Sequence, residues 1–547
     1  MFNFRIPGKT GKRLIFFLSF FYFLLLVITS NVNAQNQFQI AIGGIGEERA
    51  NSIIQTADGG YAAAGTVHSF GALDYGVYIV KLDAGGTLQW SRIVDGTNTD
   101  RAFSIIQTTD GGYAVAGYTN SFGAGQNDFY IVKLTSTGTF QWNKTVGGTG
   151  DDYASSILQT TDGGYAVSGY TNSFGAGETD FYIVKLSGSG AVQWSRTIGG
   201  ANSERGNSII QTTDGGYAVS GSTQSYGAGG EDCCIVKLSN SGSLQWIRTI
   251  GGTGNDYAYC MTQTTDGGYA MAGSTESFGA GNRDVYIVKL SSSGTLQWSR
   301  SAGGTSYDIA FSIIQTIDGG YATAGTTHSF GAGGEDFCIF KFDAGGTLQW
   351  RRTVGGANDE EAFSIIQTAD SGYVVAGYTM SFGAGNFDMY IVKLDASGHT
   401  CGNTTSPSAT SSTGGILGNP TCTVSSPTSI VTTPASLTSG GGILTTICAI
   451  GIKRISNEIP DSYKLYQNYP NPFNPATKIS FSLPKRSFAK LVIYDILGRA
   501  ISTLINEQLR PGSYEVEWNG SNYASGIYFY KLITGNFIET KKMVVLK

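Results

Sequence analysis

The chain has 547 residues, of which 78 are glycine and 14% are charged, and its formal net charge is -5. Glycine is about twice as frequent as in an average protein and charged residues are about half as frequent. This composition argues against a disordered chain and against one that binds nucleic acid through a basic surface. With 41% hydrophobic and 12% aromatic residues, it favours a β-rich protein of many short strands.

The first 34 residues have the features of an export signal. Four basic residues between positions 5 and 13 precede an apolar run from Leu14 to Ile28, and Val32-Asn33-Ala34 provides the small side chains that signal peptidase requires. The run is shorter than the ~20 residues of a membrane span, so we expect a cleaved signal peptide and no retained span, the alternative being an anchor. The mature chain would then begin near Gln35, outside the cytoplasm.

Two short sequences recur every 52 residues between positions 35 and 399. The turn Asp-Gly-Gly-Tyr occurs six times, with a seventh copy altered to Asp-Ser-Gly-Tyr. The pair Gln-Trp occurs in register with it at Trp90, Trp142, Trp194, Trp246, Trp298 and Trp350. Each unit has four short apolar runs between turn sequences, as at 103–107, 113–119, 129–134 and 140–146. Four antiparallel strands in about 50 residues are typical of a β-propeller blade.

The two ends of the repeat array are complementary. The seventh unit ends at Leu394 without its fourth strand, whereas Phe38, 52 residues before Trp90, lies in a sequence that matches that strand. A ring that pairs its first strand into its last blade needs this offset, because closure leaves no free edge. We therefore predict an all-β fold with a seven-bladed propeller at 35–399. None of the eleven prolines lies there, as expected where most amides donate to a sheet.

The composition changes after the repeats. Residues 400–455 are rich in Thr, Ser and Gly, and we interpret them as a spacer that could hold strands near Ile430 and Ile443. From residue 456 to 547 the pattern is globular again. Strands are expected there at 478–483, 490–495, 513–518, 526–532 and 541–546, forming a small sandwich.

The C-terminal region contains a specific motif. Its residues are Tyr469, Pro470, Asn471, Pro472, Phe473, Asn474 and Pro475, followed later by Val492-Ile493-Tyr494-Asp495 and Ala524-Ser525-Gly526-Ile527-Tyr528. Nearly all of the last eighty residues resemble the type A C-terminal sorting domain of type IX secretion substrates. The resemblance implies an Ig-like β-sandwich at 456–547, recognition by the secretion machinery, and delivery to the cell surface or the medium. An Ig-like module without a sorting role is the alternative.

The residues that differ between units mark a candidate binding face. In an up-and-down blade the second turn and the connection to the next blade lie on one face, and the units differ most there. Mixed aromatic, amide and charged loops suit a glycan or protein ligand, the alternative being solvated loops that have drifted. The candidate residues are Asp74, Tyr75, Arg101, Gln126, Asn127, Tyr153, Glu178, Arg205, Glu231, Tyr257, Arg283, Tyr307, Glu335 and Phe387.

Two columns of acidic residues lie on the same face. The first is Glu48, Asp100, Asp152, Glu204, Asp256, Asp308 and Glu360, and the second is Asp128, Asp180, Asp232, Asp284, Asp336 and Asp388. They could bind Ca²⁺, but we expect each to cap backbone amides of its loop or to pair with a cation of its own blade. A group present in every blade favours architecture over catalysis.

Signals for chemistry are sparse. The turn Thr108 to Gly112 resembles that of sialidase propellers without its closing aromatic, and Tyr78 to Trp90 resembles the docking motif of quinoprotein blades. Cys233-Cys234 resembles the vicinal pair of some quinoprotein dehydrogenases, but Cys234 lies in the column of Tyr130, which favours core packing. Three histidines, at 68, 328 and 399, lack the spacing of a metal site.

The prediction from sequence is an exported, monomeric binding module without catalytic residues, metal site, cofactor or nucleic-acid partner. The alternatives are a secreted enzyme, either polysaccharide-acting or quinone-dependent, and a passive structural surface protein. Export permits disulfides, and Cys401, Cys422 and Cys448 could supply one, with its connectivity open.

Overall fold

The computed structural model describes residues 37–546 apart from 71, 73, 521–522, 536 and short stretches between 402 and 457. Between 404 and 455 the description is of the backbone. The signal peptide predicted at 1–34 lies outside the described residues. Those residues form 43 strands and no helix, which confirms the all-β class. None of them belongs to a helix capable of crossing a membrane.

Seven five-stranded antiparallel sheets account for the strands described between residues 37 and 450. We number the sheets 1 to 7 in the order of the repeats and give the strands in order across each sheet. Sheet 1 is Glu48–Gln55, Tyr61–Val67, Gly76–Leu82, Leu88–Val94 and Thr438–Ser439; sheet 2 is Asp100–Gln107, Tyr113–Thr119, Asp128–Leu134, Phe140–Gly147 and Ile430–Thr432; sheet 3 is Asp152–Gln159, Tyr165–Thr171, Asp180–Leu186, Val192–Gly199 and Thr423–Ser425; sheet 4 is Glu204–Gln211, Tyr217–Thr223, Asp232–Leu238, Leu244–Gly251 and Ile416–Gly418. Sheet 5 is Asp256–Gln263, Tyr269–Thr275, Asp284–Leu290, Leu296–Gly303 and Thr410–Ser412; sheet 6 is Asp308–Gln315, Tyr321–Thr327, Asp336–Phe342, Leu348–Val354 and Thr404–Thr405; sheet 7 is Glu360–Gln367, Tyr373–Thr379, Asp388–Leu394, Gln37–Gly43 and Ile443–Ile450.

The N-terminal strand completes the last repeat. Gln37–Gly43 pairs antiparallel with Asp388–Leu394, with Phe38 opposite Lys393 and Ile42 opposite Met389. It therefore takes the fourth position of sheet 7, the position that the missing Gln-Trp strand predicts.

The hydrophobic cores lie between neighbouring sheets. Residues of the second and third strands are almost all buried. In the second strand of sheet 1, Tyr61–Val67, every residue is buried, and the centre of the strand holds only alanine and glycine, which fit the limited space between the sheets. Trp90 packs edge-on against Tyr113 of the next sheet, with 5.6 Å between ring centroids. The same pair recurs at the other five repeated tryptophans. Phe38 occupies the tryptophan position in sheet 7 and packs on Tyr61 of sheet 1 at 6.0 Å.

Each second strand has one glycine for a steric reason. The first strand of every repeat contains a bulge, between Ala102 and Ser104 in sheet 2. A Cβ on Gly117 would lie 1.8 Å from the carbonyl oxygen of Arg101 beside that bulge. The bulge therefore requires glycine at this position.

Neighbouring sheets are joined by the same side-chain bonds at every joint. The amide oxygen of Gln107 in sheet 2 accepts the N–H of Ala57 in sheet 1 at 2.8 Å. Between sheets 7 and 1, Gln55 accepts the N–H of Ala369 at 3.2 Å. The five other joints have the equivalent bond. Sheets 7 and 1 are thus neighbours of the same kind as sheets 1 and 2, in a propeller-like arrangement.

We call residues 404–450 the outer segment, because they add the outermost strand to each sheet. Its strands pair in chain order with sheets 6, 5, 4, 3, 2, 1 and 7. Most are two or three residues long, and Ile443–Ile450, beside Gln37–Gly43, is the longest. The expected strands near Ile430 and Ile443 are present. The others have no alternating pattern in the sequence and form where a fourth strand offers an open edge.

The C-terminal region forms two four-stranded sheets. One contains Lys453–Ser456, Gly512–Asn519, Ala476–Leu483 and Lys464–Leu465, and the other contains Ala500–Leu509, Ser487–Tyr494, Gly526–Thr534 and Phe537–Val545. Strands occur at all five predicted positions, and Ala500–Leu509 was not predicted. Both sheets contribute to a single core that includes Phe481, Trp518, Leu491 and Met543.

Candidate ligand-binding cavity

A cavity of about 660 Å³ is bounded by the first strands of all seven sheets and by the second strands of sheets 1 to 3. Ligand pockets in proteins have volumes of roughly 300–1,000 Å³, so this one has room for a small molecule or a segment of a polymer. Its lining consists of three columns of the repeat. These are a column of serines, a column three residues after the first acid of each unit, and positions 49, 101 and 153 with three residues of the second strands.

The serine column joins each sheet to the next. Ser52 Oγ accepts the N–H of Ile105 in sheet 2 at 3.3 Å, and Ser364 in sheet 7 accepts that of Ile53 in sheet 1 at 3.2 Å. Equivalent bonds involve Ser104, Ser156, Ser208 and Ser312. In sheet 5 the residue is Cys260, whose thiol lies 3.9 Å from the Ile313 carbonyl oxygen. This column is repeated and maintains the scaffold.

Aromatic side chains form two arcs around the cavity. In the first arc, Tyr118 packs on Phe103 at 5.8 Å and on Tyr153 at 4.8 Å between centroids, and Tyr153 stacks on Tyr170 at 5.0 Å. In the second arc the successive pairs are Tyr259–Phe311, Phe311–Phe363 and Phe363–Tyr378, at 5.0 to 5.9 Å. These rings are half-buried, apart from the buried Tyr378.

Asparagines separate the two arcs. Asn51 in sheet 1 and Asn207 in sheet 4 occupy the column that holds Phe or Tyr in sheets 2, 5, 6 and 7. Each side-chain amide donates to a backbone carbonyl of the next first strand, Asn51 to Ala102 and Asn207 to Ala258. The wall of the cavity therefore alternates between aromatic and amide surface.

Two arginines are held at the cavity by stacking. The guanidinium carbon of Arg49 lies 4.4 Å from the centroid of Phe387 and 4.8 Å from that of Tyr378. That of Arg101 lies 4.6 Å from Tyr75. A recess of about 80 Å³ lies beside the cavity and is lined by both arginines, Glu47, Thr66 and Tyr75.

The predicted ligand-face residues lie where each second turn meets the next first strand. The Tyr75 carbonyl accepts the N–H of Asp100 at 2.6 Å, and the Phe387 carbonyl accepts that of Glu48 at 2.7 Å. All seven joints have this bond. Of the fourteen candidates, Arg101 and Tyr153 line the cavity. Tyr75 contributes to the recess.

Other candidates surround these. Asn127 donates to the Tyr153 hydroxyl at 2.9 Å, and Arg283 lies over Tyr257 at 4.9 Å. Asp74 accepts from Thr99, Glu231 accepts from Ser222, Phe387 packs on Tyr378, and Arg205 lies over Tyr170. Tyr307 and Glu335 both contact His328. Gln126 and Glu178 are exposed.

The strand residues of the cavity are not among the residues predicted from the sequence. Phe103, Tyr259, Phe311 and Phe363 lie within first strands, where variation between units is easily taken for core packing. An alignment of the seven units distinguishes this position from a core position, because the column holds Asn, Phe, Ser, Asn, Tyr, Phe and Phe. A position that varies in polarity inside a conserved strand pattern indicates a surface that neighbouring blades do not cover.

The acid columns cap loops, as the sequence predicts. Asp152 Oδ2 accepts the N–H of Gly148 at 2.8 Å, and the other six units have the equivalent bond. Asp128 Oδ2 accepts from Ala124 and Gly125. Burial raises the pKa of Asp152 to about 6 against the hydrogen bonds of Thr171, Ser173 and Gly148. Within the described ranges, no group of three or more His, Cys, Asp or Glu residues could hold a metal ion.

Of the two roles expected for these acids, loop capping is the one observed, because the repeated third-strand lysines bind other carboxylates. Lys133 Nζ lies 3.0 Å from Asp110 Oδ2, in the first turn at the opposite end of the strands. The other six third-strand lysines bind their first-turn aspartates in the same way. Arg92 lies over Trp90 at 5.3 Å and donates to the Gly138 carbonyl of the next sheet. Both cations therefore stabilise turns and joints.

The cysteines in the repeats behave as core residues. Cys233, Cys234, Cys260 and Cys338 form no disulfide within the described part of the chain. Burial raises the pKa of the Cys233 and Cys338 thiols well above the usual range, so neither is a reactive thiolate. Cys233 and Cys234 face different intersheet cores. Cys401 is disulfide-bonded.

The predicted sorting motif lies along the edge of the C-terminal sheets. Phe473 is buried and packs on Trp518 at 5.6 Å. Its N–H donates to the Val544 carbonyl, and Asn471 Oδ1 accepts the N–H of Val544. Tyr469 is 80% exposed. The remaining motif residues Pro470, Pro472, Asn474 and Pro475 are exposed too.

Two family models match parts of the chain. Residues 467–546 match the secretion system C-terminal sorting domain, and residues 108–140 match the DUF5122 β-propeller domain of unknown function. The chain is 25% identical over 196 residues to Regulatory protein FlaEY of Caulobacter vibrioides. The match covers 32% of this chain and 20% of that protein. The match thus spans about a fifth of that relative's length.

Two solved structures of endo-1,5-α-L-arabinanase from Thermotoga petrophila were also found. One, in complex with Tris, is 11% identical with a TM-score of 0.27 and covers 64% of this chain and 99% of the arabinanase. The other is 12% identical with a TM-score of 0.20 and covers 63% and 82%. Together the strands, the repeats and the C-terminal match lead to one conclusion. The chain is an exported protein with a repeated β-propeller-type region and the C-terminal sorting domain of type IX secretion substrates, delivered to the cell surface or the extracellular space.

Proposed function

We propose that the seven sheets are the blades of a closed seven-bladed propeller and that the chain binds a glycan or protein ligand in the cavity on its axis. The observation that carries this proposal is the lining of the cavity. All seven first strands contribute to it, and the residues three positions after each first acid differ from sheet to sheet. Repeated positions maintain a scaffold, whereas unrepeated positions on one concave surface can recognise a ligand.

Closure of the ring is supported by the joint between sheets 7 and 1. It has the glutamine bond, the serine bond and the backbone bond that characterise the other joints. Phe38 packs on Tyr61 where the other joints have Trp on Tyr. In this proposal the predicted second-turn residues form the rim through which a ligand enters.

The remaining assignments complete the proposal. Residues 1–34 are a signal peptide, 35–399 the propeller, 400–455 a connecting segment that covers the outer sheet edges, and 456–547 an Ig-like sorting domain. The common core of the two C-terminal sheets supports the last of these. The mature protein acts as a monomer.

The test is a glycan and protein binding array probed with the mature chain from Gln35. Ligands that bind the wild type are then measured against Phe311→Ala and Tyr259→Ser, which remove cavity aromatics. Ile317→Ser is the matched control, because Ile317 is 85% exposed in a first turn, at the other end of the strands. Loss of binding in the cavity variants alone supports the proposal. Equal binding by all variants would contradict it, and an array without hits favours a passive structural protein.

A secreted enzyme is the second candidate, and one observation favours it. Burial, together with the charge of Glu335, raises the pKa of Glu361 to about 7 against Tyr378 and Arg49. A carboxyl that titrates near neutral pH beside a second carboxyl has the properties of a general acid. Turnover of a polysaccharide by the mature chain, abolished in Glu361→Gln, would establish this function in place of binding alone.

A further inference from the structure

The charges at the cavity are unbalanced. Arg49 and Arg101 are its charged lining residues, and no carboxylate belongs to the described lining. The adjoining recess adds Glu47, which lies 3.9 Å from Arg49 Nη2 and accepts a hydrogen bond from the Tyr75 hydroxyl at 3.0 Å. Within the lining of the cavity and the recess, two guanidinium groups thus face one carboxylate. Glu361 lies outside this lining, although its carboxyl is close enough to Arg49 for the two charges to interact. The charged groups of the lining are therefore net positive, in a chain whose formal net charge is -5.

The guanidinium groups are preorganised for an anion. Each lies against aromatic rings, which fixes its plane and leaves its edge, with the N–H donors, free to bind in that plane. The Nε of Arg101 is buried without a hydrogen-bond partner among the described residues. A buried donor without a partner is costly, and a planar carboxylate is the acceptor that matches a guanidinium edge. The recess of about 80 Å³ has room for a group of that size.

The rest of the wall suits a ring that carries hydroxyl groups. The aromatic arcs offer flat apolar faces, and the serine hydroxyls that accept backbone N–H bonds each keep a proton to donate. Asn51 and Asn207 use their amide nitrogens on neighbouring carbonyls, so their side-chain oxygens remain acceptors. Sugar rings combine an apolar face with a hydroxylated edge, and such a ring would use both kinds of surface.

We propose that the cavity binds an acidic saccharide, with a uronate carboxylate held by Arg49 and Arg101 and the sugar ring stacked on the aromatic arcs. This inference rests on the proposed binding function and names the chemical class of its ligand. The arginines distinguish acidic from neutral sugars, while the aromatic residues contribute to the binding of both.

The test is calorimetric titration of the mature chain with short oligomers of galacturonate, glucuronate and mannuronate and with their neutral counterparts. We expect at least one acidic oligomer to bind ten-fold or more tightly than its neutral counterpart, and this preference to fall as NaCl is raised. Arg101→Gln should abolish the preference for the acidic oligomer, and Phe311→Ala should lower the affinity for both the acidic and the neutral oligomer. Arg486→Gln is the matched control, since Arg486 is an exposed arginine of the C-terminal region, outside the cavity lining.

Three results would overturn the inference. They are equal affinity for acidic and neutral oligomers, an acid preference that survives in Arg101→Gln and Arg49→Gln, and no binding of any oligomer. The salt dependence is read on the wild type, so the test does not depend on the folding of a variant. If array ligands bind in the cavity without an acid preference, only this inference fails. If Phe311→Ala leaves their binding unchanged, the proposed function fails as well.

Discussion

Arg351 is an exception to the repeat whose effect on stability can be measured. It lies in the fourth strand of sheet 6 and is 3% exposed, with its guanidinium carbon 3.5 Å from the centroid of Phe330. None of its three guanidinium nitrogens has a hydrogen-bond partner in the described part of the chain. Sheet 2 has Asn143 at this position, bonded to the Tyr130 hydroxyl at 2.8 Å. In sheet 6 that tyrosine is Cys338, so the arginine fills the space that the smaller residue leaves.

We expect the double substitution Cys338→Tyr with Arg351→Ser to stabilise the protein by about 2–4 kcal/mol. An uncompensated buried charge costs roughly 3–5 kcal/mol, of which stacking on Phe330 offsets about 2. A new tyrosine–serine bond would add about 1 kcal/mol, as expected from Tyr286 and Ser299 in sheet 5. Cys338→Tyr alone should destabilise by about 1–3 kcal/mol, because Arg351 occupies the space.

The assay is urea unfolding of the mature chain at pH 7, comparing the midpoint at constant slope. The change in unfolding free energy of the double variant should be more favourable than the sum of the changes in the two single variants, because the two side chains occupy the same space. The same exchange in sheet 4, Cys234→Tyr with Ile247→Ser, is the control. There the cysteine shares its core with an apolar residue instead of an arginine, and the unfolding free energy should change by no more than about 1 kcal/mol. Additive single variants, or a double variant less stable than the wild type, would refute the idea that the buried guanidinium is destabilising.

Four further predictions concern the scaffold and the address. Ser364→Ala should destabilise as much as Ser104→Ala, by about 1–2 kcal/mol in urea unfolding, because each leaves one backbone N–H at a joint without its acceptor; a neutral Ser364→Ala would indicate an open ring. Ser371 has φ 66° where the other units have glycine, so Ser371→Gly should raise the unfolding free energy by about 1 kcal/mol, and a loss would contradict this. Hydrogen bonds from Thr108, Gly112 and Lys133 lower the pKa of Asp110 to about 2 despite burial; stability should therefore fall as pH drops from about 4 to 2, less steeply in Asp110→Asn, and an unchanged slope would exclude this carboxyl. Removal of residues 469–547 should leave the chain in the periplasm in cell fractionation, and its arrival at the surface would disprove the address.

The repeated features were predictable because the same residues recur at the same positions in the units of the repeat. Trp90 and its equivalents and the Asp110-type turns indicate strands, turns and their period, and the offset of Phe38 indicates which strand completes the last repeat. The sorting domain was predictable for another reason, since its Tyr469–Pro475 motif is specific in itself. The strand Ala500–Leu509 was missed because its polar residues interrupt the apolar pattern.

The cavity was predictable only in part. Arg101 and Tyr153 were found because they lie in variable connections, whereas Phe311 and Phe363 lie in strands, where sequence alone does not distinguish a lining residue from a core residue. The role of the lysines was missed for a geometric reason. Lys133 and Asp128 are in one strand, but the alternation and length of that strand place the ammonium group near Asp110, which spacing along the chain does not reveal.

The route of the outer segment has a consequence for biosynthesis. The fourth strand of each sheet keeps an unpaired edge until the ribosome has passed residue 404. The outer strands then pair with the sheets in reverse order, from sheet 6 to sheet 1 and finally with sheet 7. A nascent or prematurely terminated chain would expose up to seven such edges at once, which are templates for intermolecular aggregation. The last of these strands, Ile443–Ile450, covers the first strand of the mature chain, so all seven edges are covered only in a chain that extends at least to residue 450.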